Sequence, residues 1–271
     1  MLWRTKDLVG YELQATDGAI GSVEDLLFDD RDWTVRWVVA DTGKWLHDRK
    51  VLLPPETFGE PNSIMRKVPV DLTRQRIEES PPIESDQPVS RQMESDLYGF
   101  YGYPSYWGGA MGVPGASAVP EVVPPLEASA VPSARSGPPA AERTTQADEV
   151  LPDGGVGREG DPHLRSANEV IGYYIQATDG DIGHVEDMLV EVGSWATRYL
   201  MVDTRNWWPG RMVLISPSWA SGISWTDQKL FVDVTREYVR GSPEYDPSRP
   251  IDRGYEQHLH DHYGYTPYWG P

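Results

Sequence analysis

The run HLHDHYGY gathers His258, His260, Asp261 and His262. On a helix, His258 and His262 would stand at i and i+4 on one face, a spacing suited to zinc or nickel. An earlier stretch, DLYGFYGY, carries Asp96, Tyr98 and Phe100 where those histidines stand. Metal binding is therefore an expectation for His258 and His262 alone, not for a repeated unit. A second candidate is the acid pair Glu24-Asp25, which recurs as Glu186-Asp187. Adjacent side chains on a strand point to opposite faces, so these carboxylates cannot converge on one ion or proton. The simpler expectation is a cross-strand ion pair, Asp25 with Arg36 and Asp187 with Arg198. Nucleophilic chemistry finds no footing: the chain has no cysteine and no G-x-S-x-G elbow, and no histidine recurs at equivalent places. No catalytic residue and no cofactor follows from the residues.

Glycines also invite a chemical reading. Asp17-Gly18-x-Ile-Gly21 and Asp179-Gly180-x-Ile-Gly183 would cradle phosphate only if a helix followed. An apolar strand pattern follows instead, so these residues are read as a tight turn and a close backbone approach. The remaining conspicuous groups are two aromatic tails. Tyr101, Tyr103, Tyr106 and Trp107 form one, and Tyr263, Tyr265, Tyr268 and Trp269 form the other. Tyr and Trp combine large apolar area with a polar handle and are enriched at contacts. Each tail is expected to fold back over its own unit or its sister, with an exposed peptide for an outside partner as the alternative.

The elements that must position these groups occur twice. YELQATDGAIGSVEDLL begins at Tyr11 and YYIQATDGDIGHVEDML at Tyr173, an offset of 162 (173 − 11). The same offset relates Gly10 to Gly172, Trp33 to Trp195, Asp71 to Asp233 and Trp107 to Trp269, without a gap. Duplication of a whole domain explains it. Strands are expected over Leu8–Gln14, Ile20–Asp29, Thr34–Asp41, Val51–Leu53 and Val68–Leu72, with Val213–Ile215 and Leu230–Val234 matching the last two. Short polar helices follow at Thr73–Glu79 and Thr235–Arg240, and longer ones at Val89–Phe100 and Ile251–Tyr263. The fold class is mainly β: two small barrels, each trailed by short helices.

LVGYELQATDGAIGSVEDLLFD, a hairpin, VRWVVADTG and VLLPPETF together resemble the PRC-barrel domain. This small β-barrel is shared by the cytoplasmic part of the photosynthetic reaction-centre H subunit and the ribosome-maturation protein RimM. The resemblance covers about residues 5–75 and 167–237. It implies a binding or assembly module rather than an enzyme.

The domains are then 5–107 and 167–271, joined by a linker over 108–166. That linker is rich in Pro, Gly, Ala and acid, and too poor in apolar surface to offset its ordering entropy. The net charge is −18, with scattered basic residues. Such a surface repels phosphate backbones and anionic membranes. No apolar run approaches the roughly 20 residues that cross a bilayer, and the start of the chain lacks a signal-peptide pattern, so the expected location is cytoplasmic. A barrel of roughly 70 residues is marginal alone. The two barrels are therefore expected to pair within one chain, or between chains as a homodimer, and to offer remaining surface to an unidentified protein. The alternatives are a small-molecule or metal site in a groove between barrels or at the His patch, and, by fold analogy, an accessory role in a membrane complex.

Overall fold

A computed structural model describes residues 1–46, 49–81, 89–107, 161–204 and 211–270. The bulk of the expected linker, 108–160, lies outside the described residues. So do Trp207 and Trp208. Two compact units are present, one comprising Met1–Pro104 with Arg158–Pro271 and the other Ser105–Gly157. Of the second unit only Ser105, Tyr106 and Trp107 are described, with the Tyr106 and Trp107 rings meeting edge to face at 4.6 Å.

In the first unit, β1 (Leu2–Arg4) leads into a one-turn helix, α1 (Thr5–Leu8). A hairpin of β2 (Glu12–Ala15) and β3 (Gly18–Asp29) follows, then β4 (Thr34–Asp41), β5 (Lys50–Leu53) and β6 (Lys67–Pro69). Helices α2 (Arg74–Glu78) and α3 (Arg91–Tyr101) close this half. The second half repeats the plan with β7 (Leu164–Ser166), α4 (Ala167–Val170), β8 (Tyr174–Ala177), β9 (Gly180–Glu191), β10 (Thr197–Asp203) and β11 (Met212–Ile215). It adds β12 (Ala220–Ser224) before β13 (Lys229–Val232), α5 (Arg236–Arg240) and α6 (Arg253–Tyr263). The protein is mainly β, in two mixed sheets. One runs β5-β4-β3-β2-β6 and the other β11-β10-β9-β8-β13-β12. Neighbours are antiparallel except β2 with β6 and β8 with β13, which are parallel.

Strand alternation builds the core: Leu13, Ile20, Val23, Leu26 and Phe28 are buried in the first half, and Ile175, Ile182, Val185, Met188 and Val190 in the second. Burial of such side chains stabilises by about 1.5–3 kcal/mol each. Two glycines sit where the backbone of a neighbouring strand comes close. Gly21 has φ +130°, and a Cβ there would lie 1.9 Å from the Asp41 carbonyl oxygen. At Gly183 the corresponding distance, to the Asp203 carbonyl oxygen, is 2.0 Å. The turn itself differs in detail from the expected Asp-Gly hairpin. Ala15 pairs with Gly18, so Thr16 and Asp17 form the two-residue loop and Gly18 leaves it at φ +149°. Asp17 instead accepts a hydrogen bond from the Arg74 backbone N–H at 2.7 Å, and Asp179 does the same for Arg236, tying each hairpin to the helix start beside it.

Two strands were not expected. Residues 164–166, read from composition as linker, form β7, and Leu2–Arg4 forms β1. Neither joins its own half. Strand β1 pairs with β9 and β7 pairs with β3.

Candidate interaction site

The long strands β3 and β9 create the need for this exchange. Along one edge, β3 is paired over Ser22–Asp29 by β4. Along the other, β2 covers only Gly18–Ser22, leaving the carboxyl-terminal half of β3 with unpaired backbone groups. An uncovered edge is a template for unwanted pairing. Strand β7 fills it, with Leu27 opposite Ser166, Phe28 opposite Arg165 and Asp29 opposite Leu164. The second half mirrors this residue by residue: Leu189 faces Arg4, Val190 faces Trp3 and Glu191 faces Leu2. Applying the 162 offset to either set gives the other.

Further hydrogen bonds are reciprocal in the same way. Val35 N–H donates to the Trp195 carbonyl at 2.9 Å, and Thr197 N–H donates to the Trp33 carbonyl at 2.8 Å. Asp30 N–H donates to His163 and Val192 N–H to Met1. Thr34 and Ala196 form an antiparallel bridge between these bonds, where the pseudo-two-fold relation passes. Trp33 and Trp195 flank it at φ +56°, both nearly buried. The Trp33 ring stacks on Phe28, and Trp195 meets Phe58 of the other half edge to face.

Side chains clasp each exchanged leader. The Asp187 carboxylate, 1 % exposed, accepts from Thr5 Oγ1 at 2.7 Å, from Lys6 N–H at 3.2 Å and from Met188 N–H at 2.8 Å. Asp25 accepts from Ser166 Oγ, Asn168 N–H and Leu26 N–H. Burial pushes both carboxyls above the usual aspartate range, opposed by the hydrogen bonds of Ser166 and Thr5. Glu186 pairs with Lys6 at 2.6 Å across the junction, whereas Glu24 pairs with Lys50 of its own half at 2.6 Å.

The expected ion pairs of Asp25 with Arg36 and of Asp187 with Arg198 are therefore corrected. Arg36 salt-bridges Asp32, and Arg198 salt-bridges Glu191 at 2.6 Å. The cause is register. Asp25 faces Val39 and Asp187 faces Met201, each three residues away from the expected arginine, and Arg36 and Arg198 themselves are skipped in bulges, between Val35 and Trp37 and between Thr197 and Tyr199.

A second set of carboxylates was missed. Glu94 on α3 is fully buried, with Trp37 Nε1 donating to its Oε1 at 2.8 Å. Burial first, then neighbouring Asp161, pushes its carboxyl up to about 7. Asp161 itself is held by Arg91 at 2.8 Å and by its N–H to the Val89 carbonyl, which seats the start of the leader on α3. In the second half Glu256 accepts from the Tyr199 and Tyr268 hydroxyls at 3.1 and 2.9 Å. The available signal was an acid on an apolar helix face: Glu94 with Leu97 and Tyr98, and Glu256 with Leu259 and His260.

The two candidate histidines differ in their surroundings. His262 Nε2 donates to the Tyr238 carbonyl at 2.9 Å and its ring stacks on Tyr238, while His258 is exposed. Among the described residues the group of three metal-type ligands is a different one, His184, Glu186 and Asp203, with donor atoms within 4.8 Å of one another. The tail of the second half folds back on its own half. Tyr263 and Tyr265 pack on Trp219 with centroids 4.7 and 5.2 Å away, and Trp269 lies under Arg253. Burial raises the Tyr263 and Tyr268 hydroxyls to about 12. In the first half Tyr101 is largely buried against Phe100, its hydroxyl also pushed up to about 12, and Tyr103 is half-exposed.

Residues 4–76 match the family model of the PRC-barrel domain. No curated protein matches the chain. The matched segment spans β1's last residue through α2, and hence includes β3 with both of its edges. Among the described residues no helix is long and apolar enough to cross a membrane.

Proposed function

We propose that the protein is a non-catalytic assembly module in which two PRC-type halves close on each other within one chain. The observation that carries this reading is the reciprocal pairing of β1 with β9 and of β7 with β3. The 162 offset supports reading the second half as a unit of the same kind, since every strand of the first has its counterpart there. Closing both edges leaves a paired body whose role is to present surface. The best-exposed apolar piece of that surface is the loop tip at Ile64 and Met65, 94 % and 68 % exposed, where the second half carries polar Thr226 and Asp227. Asymmetry of this kind suits one protein partner on one side.

Two measurements test the reading. Deleting residues 1–4 from the full chain should accelerate amide exchange at Leu189–Glu191 while leaving Leu27–Asp29 protected. Faster exchange only in the first half would overturn the exchanged arrangement. A photo-crosslinking residue at position 64 should trap one defined protein species in cells, and Met65→Asp in the same chain should abolish it. Diffuse, substitution-insensitive adducts would count against the assembly role.

A further inference from the structure

Four strands of the second half set Tyr174, His184, Asp203 and Met212 in one row, from β8 through β9 and β10 to β11. The first half has Glu12, Ser22, Asp41 and Lys50 in the same row. There Lys50 Nζ reaches Glu24 Oε1 at 2.6 Å. Glu24 above all, with Asp41 adding to it, raises that ammonium above the usual lysine range against some desolvation. The first half thus answers its two acids with a cation of its own. The second half keeps both acids, as Glu186 and Asp203, but has Met212 in place of Lys50 and His184 in place of Ser22. One strand position loses an ammonium while another gains an imidazole.

The imidazole and the two acids converge. His184, Glu186 and Asp203 each offer one ligand atom, and these atoms all lie within 4.8 Å of one another. His184 Nε2 and Glu186 Oε2 are 3.8 Å apart. Donors held at about 2.0–2.2 Å by one tetrahedral ion stand roughly 3.3–3.6 Å from each other, so modest side-chain turns complete the set. Glu186 is passed over in the pairing of β9 with β10, between Val185 and Asp187, which frees its side chain from the alternation of the ladder. Its two oxygens divide the work. Lys6, arriving on the exchanged leader, takes Oε1 at 2.6 Å, and Oε2 is the one turned to His184. Asp203, 1 % exposed, is the inner ligand. His184 and Glu186, with side chains 27 % and 30 % exposed, are the outer pair, past which an ion enters from solvent. One imidazole with two carboxylates suits zinc and its transition-metal neighbours, whereas calcium and magnesium take oxygen ligands. The net charge of −18 favours the approach of any cation, so selectivity rests on the nitrogen.

We propose that His184, Glu186 and Asp203 bind one divalent ion of the zinc class, with water in the fourth position, on β9 and β10 beside the exchanged leader. The first half builds no such site, because Ser22 offers no imidazole and Lys50 already holds Glu24. The inference does not depend on what the protein assembles with.

Zinc is the probe, added to the full chain after treatment with a chelator and read by calorimetry. One zinc per chain should bind at this site. His184→Ser, which installs the first half's residue, should weaken it by more than about 100-fold, beyond the cost of losing an outer-shell partner. Glu186→Gln should weaken it by at least about tenfold. His258→Ala, which breaks the helical histidine pair on α6, should leave the affinity unchanged. A roughly hundredfold excess of calcium should not displace the zinc. Absence of zinc binding, binding that survives H184S or E186Q or falls with H258A, or displacement by calcium would overturn the proposal. E186Q alters a partly exposed side chain and keeps the test decisive if H184S fails to fold.

Discussion

The clasp between Thr5 and Asp187 gives the sharpest test of the exchanged leaders, because it joins residues from opposite halves in a place water cannot reach. Thr5 is 2 % exposed and Asp187 1 %, and the hydroxyl donates at 2.7 Å. Thr5→Val keeps the shape and removes the donor. Lys6 and Met188 N–H groups still reach the carboxylate, so only one of three bonds is lost. A hydrogen bond to a charged group contributes about 1.5–3 kcal/mol, and T5V should cost that much. Ser166→Ala, the equivalent change at half-exposed Asp25, should cost less, about 1 kcal/mol, since solvent can replace the donor. Asp187→Asn completes a double-mutant cycle whose coupling with T5V should reach about 1–2 kcal/mol. The assay is urea unfolding of the full chain, followed in parallel by far-ultraviolet dichroism and tryptophan fluorescence. The sign with pH is also fixed. The Asp187 carboxyl sits above its unfolded value, so its contribution is fully present below the unfolded pKa and is lost as pH rises through the folded one. Removing the Thr5 donor raises it further, and the T5V deficit should therefore shrink on acidification. A cycle additive within about 0.5 kcal/mol would refute the clasp and, with it, the cross-half pairing it secures.

Glu94 gives an independent pH test. Its carboxyl is pushed up to about 7 from 4.5, so the folded state is favoured below 4.5 and loses that advantage as pH rises through about 7; Glu94→Gln should flatten the stability profile across this window in denaturant titrations at several pH values. Gly21→Ala and Gly183→Ala should each be destabilising by more than about 3 kcal/mol in thermal melts, because the new methyl meets a carbonyl oxygen near 2 Å. Gly99→Ala, in the interior of α3 with open space around it, should instead stabilise by about 0.5–1 kcal/mol in the same melts. Trp219→Ala should release the second tail at a cost of about 3–5 kcal/mol, seen as loss of near-ultraviolet dichroism, since Trp219 anchors His260, Tyr263 and Tyr265.

Much of this architecture is written in local patterns. Thr34–Asp41 alternates and is bounded by turns, and it forms a strand over those same residues. The helix from Arg91 is announced by its Ser90 cap and ended by Gly102 at φ +84°. The expected Leu8–Gln14 strand is shortened because Thr5–Leu8 turns as a helix to deliver the leader. What could not be read is what depends on the other half. LWR and LRS are too short to show alternation, and only their partners 162-related strands away make them strands. The pairing expected of Asp25 with Arg36 fails because the register sets Val39 opposite Asp25 and leaves Arg36 in a bulge farther along the strand.

The placement of β7 sets an order of events during synthesis. Everything in the first half up to α3 emerges before Leu164–Ser166 exists, so β3 waits with half of one flank bare for the time needed to make the intervening stretch. At about 5–20 residues per second that delay is several seconds, far longer than hairpin formation. The nascent first half is thus a sticky intermediate by construction, and β1 has nothing to grip until β9 appears. Slowing translation across that stretch should raise aggregation or chaperone dependence without altering a single amino acid.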